Sequence, residues 1–239
     1  MRIVVANVNT TEAVTEAIRA QAQKTAAPGT EVLAVTPRFG PPSVEGNFES
    51  YLAAVAVMDR VRAIEEPYDG IVLAGFGEHG KEGLAELFDV PVVDITEAAA
   101  HTASLLGRRF SAVTSLARTC GQIEDRIALA GLAGRCASVR ATGLGVLELE
   151  QDPARARQRI VEEAVRAVED DGAEVICLGC AGMAGLAEQV REGAGAPVVD
   201  GVPAAIGLVE SLVRQGLRTS KVGGWADPLP KEIPGWPLP

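Results

Sequence analysis

Residues 71–77 read IVLAGFG, and residues 176–182 read ICLGCAG. Each stretch is an apolar run that ends in a glycine-containing turn. Each is followed by the tetrad Pro-Val-Val-Asp, which starts at Pro91 in the first copy and at Pro197 in the second. The matching turn positions hold Gly75 and Cys180. The repeat predicts two similar halves, and if these face each other across one cleft, only one wall carries a thiol.

Outward from this repeat, short apolar runs alternate with longer segments of helical periodicity, which is typical of parallel strands joined by crossover helices. The sequence therefore predicts an α/β fold of two pseudo-symmetric halves. Each half is expected to hold a four-stranded, mainly parallel sheet flanked by helices, with the active site in the cleft between them. The predicted strands are 2–6, 31–36, 70–74, 91–94, 110–114, 136–141, 173–178 and 197–199. The predicted helices lie near 11–25, 47–65, 80–88, 96–106, 117–132, 153–171, 183–192 and 201–215.

The two halves are expected to be discontinuous in sequence. The helix after each Pro-Val-Val-Asp has to leave its own half, so 96–106 should cross into the second half and 201–215 should pack on the first. The predicted domains are thus 1–96 plus 201–239, and 97–200. The tail 223–239 holds five of the 14 prolines and both tryptophans, so it should wrap the surface or a partner subunit.

Composition excludes several classes of partner. The net charge of −10 and the pI near 4.8 disfavour nucleic acids and anionic membrane surfaces, which attract clustered lysines and arginines. No apolar run is long enough for a membrane span, and residues 1–7 suggest a strand entering a turn rather than a signal peptide. We expect a cytoplasmic protein with reduced cysteines. With two histidines, His79 and His101, no metal site is expected.

Ligands of open α/β sheets bind beyond the carboxyl ends of the strands. The residues at those ends are expected to line a small-molecule site: Asn7, Asn9, Thr10, Gly75, Thr114, Ser115 and Cys180.

Cys180 stands between Gly179 and Gly182 before a predicted helix. Backbone N–H groups and the helix dipole there can lower a thiol pKa, so Cys180 is the candidate acid/base or nucleophile. The alternative is a small buried hydrophobic residue. Cys177 and Cys180 also form a Cys-x-x-Cys pair, but Cys177 is better explained as a buried strand residue.

The turn 75–80 mirrors the Cys180 turn, and its N–H groups could hold an anionic substrate oxygen. Glu78 and His79 could supply a second acid/base on this wall. The alternative is that both side chains point to solvent. The loop 40–47 could be a lid or a plain connection.

Four motifs of this chain resemble the aspartate/glutamate/hydantoin racemase superfamily, and most closely its hydantoin and allantoin racemase branch. The matching motifs are ANVNTT at 6–11, GPPSVEG at 40–46, AGFGE at 74–78 and LGCAGM at 178–183. Through these motifs, further residues are expected at the substrate site: Ser43, Phe76, Gly77, Ala181 and Gly182.

The resemblance implies a cofactor-independent enzyme in which two cysteines exchange a proton at a carbon next to a carbonyl, from opposite faces. Cys180 matches the second cysteine, whereas Gly75 stands in place of the first and Val8 replaces the usual proline. The related arylmalonate decarboxylases similarly keep one cysteine opposite a glycine. A glycine at position 75 is also expected to leave room for a larger substituent.

Three functions follow from these observations. The first is an isomerase or racemase acting on a hydantoin-like or amino-acid-derived molecule, with Cys180 on one face and Glu78, His79 or water on the other. The second is a single-cysteine decarboxylase or lyase working on one face of an enolate. The third is an inactive protein that binds a small imide or carboxylate. A homo-oligomer is expected in each case.

Overall fold

The computed structural model describes residues 1–183, 185–232 and 234 of the 239-residue chain. It contains two four-stranded sheets in which all neighbouring strands are parallel, in the orders β2-β1-β3-β4 and β6-β5-β7-β8. The first sheet comprises β1 (Arg2–Asn7), β2 (Glu31–Val35), β3 (Gly70–Ala74) and β4 (Val92–Asp94). The second comprises β5 (Phe110–Thr114), β6 (Cys136–Ala141), β7 (Val175–Leu178) and β8 (Val198–Asp200). The predicted α/β class is therefore confirmed.

The helices that flank these sheets fall close to the predicted segments, with two differences. They are α1 (Glu12–Thr25), α2 (Asn47–Arg62), α3 (Lys81–Leu87), α4 (Ile95–Leu106), α5 (Cys120–Leu129), α6 (Val146–Gln151), α7 (Pro153–Glu169), α8 (Ala187–Ala194) and α9 (Gly201–Arg214). The short helix α6 was not predicted. The predicted helix 183–192 was wrong at its start, because a one-turn 3-10 helix spans Ala181–Met183 and Gly185 takes a φ of +87°, which no regular helix allows.

The central strands are buried on both faces. Ile71, Val72 and Leu73 of β3 and Val175 and Ile176 of β7 are fully buried. This is why the sequence of these strands is continuously apolar rather than alternating.

Helices α4 and α9 exchange positions between the sheets. Helix α4 follows β4 but packs on β7 and β8, whereas α9 follows β8 and packs on β3 and β4. Both helices also pack on each other, and their buried side chains join strands of both sheets in one core. The repeated tetrads end in the aspartates that begin these helices, since Asp94 accepts hydrogen bonds from Thr96 N and Glu97 N, and Asp200 accepts one from Val202 N.

The chain after α9 lies against helix α3. The N–H of Thr219 donates to the carbonyl of Asp89, and Lys221 Nζ donates to the carbonyls of Ala85 and Glu86 at 2.9 and 2.7 Å. The Trp225 ring lies 4.9 Å from Lys81 Nζ. Of the predicted tail 223–239, residue 233 and residues 235–239 lie outside the described part of the chain.

No helix in the described part of the chain is long and apolar enough to cross a membrane.

Candidate active site

The carboxyl ends of β1 and β3 in one sheet and of β5 and β7 in the other line a single cleft. The predicted site residues that the structure brings together there are Asn9, Gly75, Phe76, His79, Thr114, Ser115, Cys180 and Gly182. The described lining is completed by Val8, Val14, Val44, Ala74, Thr119, Gln122, Val146 and Gly179.

Other predicted site residues lie behind this lining. Asn7 is buried and donates to Asn9 Oδ1 and Thr15 Oγ1, both at 3.0 Å, so it supports the cleft wall. The Thr10 N–H donates to the Pro41 carbonyl at 3.1 Å. Ser43 and Glu78 also lie outside the lining. The side chain of Ala181 is outside the described part of the chain.

Two N–H groups of the turn 75–80 are taken by the protein itself. The Gly77 N–H donates to Thr96 Oγ1 at 2.8 Å, and the Gly80 N–H donates to Glu78 Oε1 at 2.6 Å. These two groups therefore cannot hold an anionic substrate oxygen, and for them the prediction is wrong.

Cys180 is placed on its wall by the end of β7. A Cβ on Gly179 would lie 2.9 Å from the carbonyl oxygen of Val113, so only glycine lets β7 approach β5 this closely. Thr114 Oγ1 donates to the Gly179 carbonyl at 3.0 Å. Because a single 3-10 turn follows Cys180, the expected contribution of an α-helix dipole is weaker than the sequence suggested.

The neighbouring Cys177 is a buried strand residue, as predicted. It lies in β7 with no exposed surface, and burial raises the pKa of its thiol. None of the chain's four cysteines is in a disulfide.

On the wall opposite Cys180, the space beside Gly75 is not empty. A Cβ on Gly75 would lie 2.3 Å from Cδ2 of His79 and 2.5 Å from Cγ1 of Val8. The expected room for a larger substituent is therefore occupied, because the turn after β3 folds the His79 side chain back onto residue 75.

His79 is inside the protein, so the prediction that it points to solvent is wrong. The side chain is buried in the cleft wall, and Nδ1 lies 2.9 Å from Ser50 Oγ. Burial lowers the pKa of His79 to about 4, against smaller opposing effects of the Phe76 carbonyl and Asp94. The ring is therefore neutral at pH 7.

Glu78 is turned away from the cleft. In addition to Gly80, its carboxylate binds Arg126 at 3.0 Å. Burial raises the pKa of Glu78, and the neighbouring charge of Glu82 adds to this effect. Glu78 therefore belongs to an ion cluster behind the wall rather than to the lining.

Arg126 is the centre of that cluster and was missed at the sequence level. It is 1% exposed and pairs with Asp94 at 2.8 Å and with Glu97 at 2.7 Å, besides Glu78 and Glu82. Burial opposes its charge, but Asp94 and the other carboxylates together raise the pKa of Arg126. It joins α5 of the second sheet to the start of α4. In the sequence, an arginine in an amphipathic helix looks like a surface residue. The acidic residues at 78, 82, 94 and 97 were the only indication that a buried cation was needed to pair with them.

The loop 40–47 reaches across the mouth of the cleft. Glu45 Oε1 accepts a hydrogen bond from the Val146 N–H at 3.0 Å, and Val44 and Val146 both line the cavity below. The loop therefore contacts both halves of the protein.

The described cleft lining contains no Lys, Arg, Asp or Glu. Its titratable side chains, among the residues that the structure describes, are His79 on one wall and Cys180 on the other. The remaining polar groups are the amides of Asn9 and Gln122 and the hydroxyls of Thr114, Ser115 and Thr119. This is a small, largely neutral site with two titratable groups.

Comparison with known proteins agrees with this architecture. The model of the Asp/Glu/hydantoin racemase family matches residues 3–209. The hydantoin racemase of Pseudomonas sp. (strain NS671) is 39% identical over 236 residues, which cover 98% of this chain and 95% of that protein. The crystal structure of allantoin racemase from Pseudomonas fluorescens is 62% identical with a TM-score of 0.97, and the match covers 98% of this chain and 100% of that one. The allantoin racemase from Klebsiella pneumoniae is 45% identical with a TM-score of 0.95, covering 98% and 96%. The chain therefore belongs to the Asp/Glu/hydantoin racemase family and is an isomerase of the racemase type.

Proposed function

We propose that this protein is a cofactor-independent racemase of hydantoin-like cyclic ureides, in which Cys180 exchanges the proton on one face of the carbon next to a carbonyl. The similar hydantoin and allantoin racemases support this substrate class. A cytoplasmic location, where thiols stay reduced, suits a catalytic cysteine.

The observation that carries the proposal is the neutral cleft lining. Burying a carboxylate without a counter-charge costs several kcal/mol, whereas a neutral ring needs only hydrogen-bond partners. The described lining offers such partners and no cationic side chain. It therefore favours a neutral cyclic ureide over an amino acid or a malonate.

Asn9 is the proposed donor to the substrate carbonyl. Its Oδ1 already accepts from Asn7 Nδ2 and from the Thr11 N–H, both at 3.0 Å. The amide therefore has Nδ2 to offer to the cleft. A donor fixed in this way can stabilise the negative charge that develops on the carbonyl oxygen when the neighbouring C–H bond breaks.

His79 is the proposed acid/base on the second face. Of the three candidates from the sequence, Glu78 is held by Arg126, and His79 lines the wall beside Gly75. In one direction the imidazole takes the proton, the electrons of the C–H bond pass into the enolate, and the Cys180 thiol delivers a proton to the opposite face. The thiolate and imidazolium that remain act on the other enantiomer or exchange protons with water.

The test is a comparison of substrate classes. Enantiopure 5-substituted hydantoins and allantoin, aspartate, glutamate and an arylmalonate are each incubated with the enzyme and followed by optical rotation and NMR. We expect loss of rotation with the cyclic ureides only. Decarboxylation of the malonate would instead support a one-face decarboxylase, and binding without turnover would support an inactive binding protein.

We also propose that the protein forms a homo-oligomer through helix α2. Phe48, Tyr51 and Leu52 are 75%, 67% and 45% exposed and lie on one face of this helix, at the spacing that brings side chains together. Light scattering on wild-type protein and Phe48→Glu tests this, because the substitution should lower the measured mass.

A further inference from the structure

Ser50, in the first turns of helix α2, contacts three groups of the cleft wall. Its hydroxyl donates to the Glu78 carbonyl, lies 2.9 Å from His79 Nδ1, and accepts from Gln122 Nε2 at 2.8 Å. Ser50 is fully buried. The direction of the Ser50 hydroxyl hydrogen therefore determines which atoms of these groups donate and which accept.

The single hydroxyl hydrogen of Ser50 can serve one acceptor only. The contact between Ser50 Oγ and the Glu78 carbonyl oxygen is a hydrogen bond between two oxygen atoms, and because a carbonyl oxygen can only accept, Ser50 supplies its hydrogen. Gln122 uses an amide N–H to reach Ser50, so it cannot take the hydroxyl hydrogen. The Ser50 hydrogen is therefore committed to Glu78.

This leaves Ser50 Oγ as an acceptor toward the imidazole. Since Ser50 has no second hydrogen to donate, Nδ1 of His79 must carry the hydrogen of the pair, and the neutral ring then has its lone pair on Nε2. Nε2 is bonded to Cδ2, the ring atom that lies beside Gly75.

We propose that Ser50 and Gln122 are positioning residues that hold His79 as the Nδ1–H tautomer, so that Nε2 exchanges the substrate proton. The inference rests on the proposed function of His79 at the second face. The same hydrogen bonds serve both forms of the ring, because Nδ1 keeps its hydrogen when Nε2 gains one. The proton that moves is then the one at Nε2 alone.

Gln122 joins this network from the opposite half of the protein. It extends from α5, and its Nε2 also lies 3.2 Å from the Glu78 carbonyl oxygen. Gln122 Oε1 and His79 Nε2 both lie near Gly77, at 3.5 and 3.4 Å from the position of a Cβ on that residue. The charged groups that act on the ring from behind are Asp94, which favours its protonated form, and Arg126, which opposes it.

The tautomer is measured directly by nitrogen NMR of 15N-labelled protein at pH 7. The chain has two histidines, so the spectrum of His101→Gln, a substitution at an exposed site outside the cleft, assigns the signals of His79. We expect a protonated Nδ1 and an unprotonated Nε2 in wild-type protein. A protonated Nε2 in wild-type protein would overturn the inference without any reference to activity.

Variants then separate positioning from catalysis. Ser50→Ala should shift the His79 signals toward the Nε2–H form and lower kcat about 100-fold with little change in KM, as expected for loss of a correctly oriented base. Ser50→Thr keeps the hydroxyl and should restore both signals and kcat, and Gln122→Met should weaken the preference without removing it. Unchanged His79 signals in Ser50→Ala would contradict the inference. The expected tautomer in a protein that racemises no cyclic ureide would instead contradict the proposed function.

Discussion

The ring of His79 occupies the space beside Gly75 that the side chain of any larger residue 75 would need. Its Cδ2 lies 2.3 Å from the position of a Cβ on residue 75, and Cγ1 of Val8 lies 2.5 Å from that position. Glycine is therefore required here by its neighbours. Each wall of the cleft carries a titratable side chain, Cys180 on one and His79 on the other.

Adding one methyl group at this position should therefore destabilise the protein. We expect Gly75→Ala to lower the free energy of unfolding by about 1–3 kcal/mol, the usual cost of overpacking a core. Gly134→Ala is the matched control, since a Cβ there meets nothing within 4 Å. Urea unfolding of both variants checks the difference. Equal stability of Gly75→Ala and wild type would show that His79 and Val8 can move aside without cost.

The buried charge of Arg126 should be essential to stability. Arg126→Met removes the partner of the fully buried Asp94 carboxylate, and we expect a loss of about 3–5 kcal/mol in urea unfolding. Arg19→Met is the control, because the Arg19–Glu16 pair is exposed to solvent and should contribute little to stability. A small effect of Arg126→Met would show that water or rearrangement replaces the guanidinium.

The sequence predicted all eight strands because most of them are apolar runs bounded by turn residues, although β6 also contains Ser138 and Arg140. It did not predict helix α6, whose residues Val146–Gln151 are too few to show a clear helical period. The cleft lining was predicted in outline, since Asn9 and Cys180 follow strands, and Thr114 ends a strand, whose carboxyl ends meet. The neighbours of Gly75 could not be predicted, because they depend on how the turn after β3 folds back.

The buried imidazole should make stability depend on pH in acid. His79 has a folded pKa of about 4 against 6.5 for the exposed group, so it is neutral in both states above pH 6.5. As pH falls from 6.5 to 4, the unfolded chain binds a proton that the folded protein excludes, and up to roughly 3 kcal/mol of stability is lost. Urea midpoints of wild type and His79→Gln, compared at pH 7, 6, 5 and 4, should converge toward acid. A constant difference would contradict the neutral buried ring.

Asn9→Asp tests the donor to the substrate carbonyl. The aspartate keeps the oxygen that accepts from Asn7 and Thr11 but replaces Nδ2 with a second oxygen. We expect kcat to fall about 100-fold or more, as on loss of an oxyanion donor, while the protein stays folded by circular dichroism. Asn47→Asp, at the exposed first residue of α2, controls for the added charge. Activity near the wild-type value would place the donor elsewhere.

The central claim is that Cys180 and His79 each exchange the proton on one face of the substrate. The most direct measurement follows loss of the α-proton and of optical rotation together, for both enantiomers of a 5-substituted hydantoin in D2O, with spontaneous exchange subtracted. We predict that wild type exchanges and racemises both enantiomers, that Cys180→Ala exchanges one enantiomer without racemising it, and that His79→Ala exchanges only the opposite enantiomer. Undiminished racemisation by either variant, or exchange of the same enantiomer by both, would contradict the account.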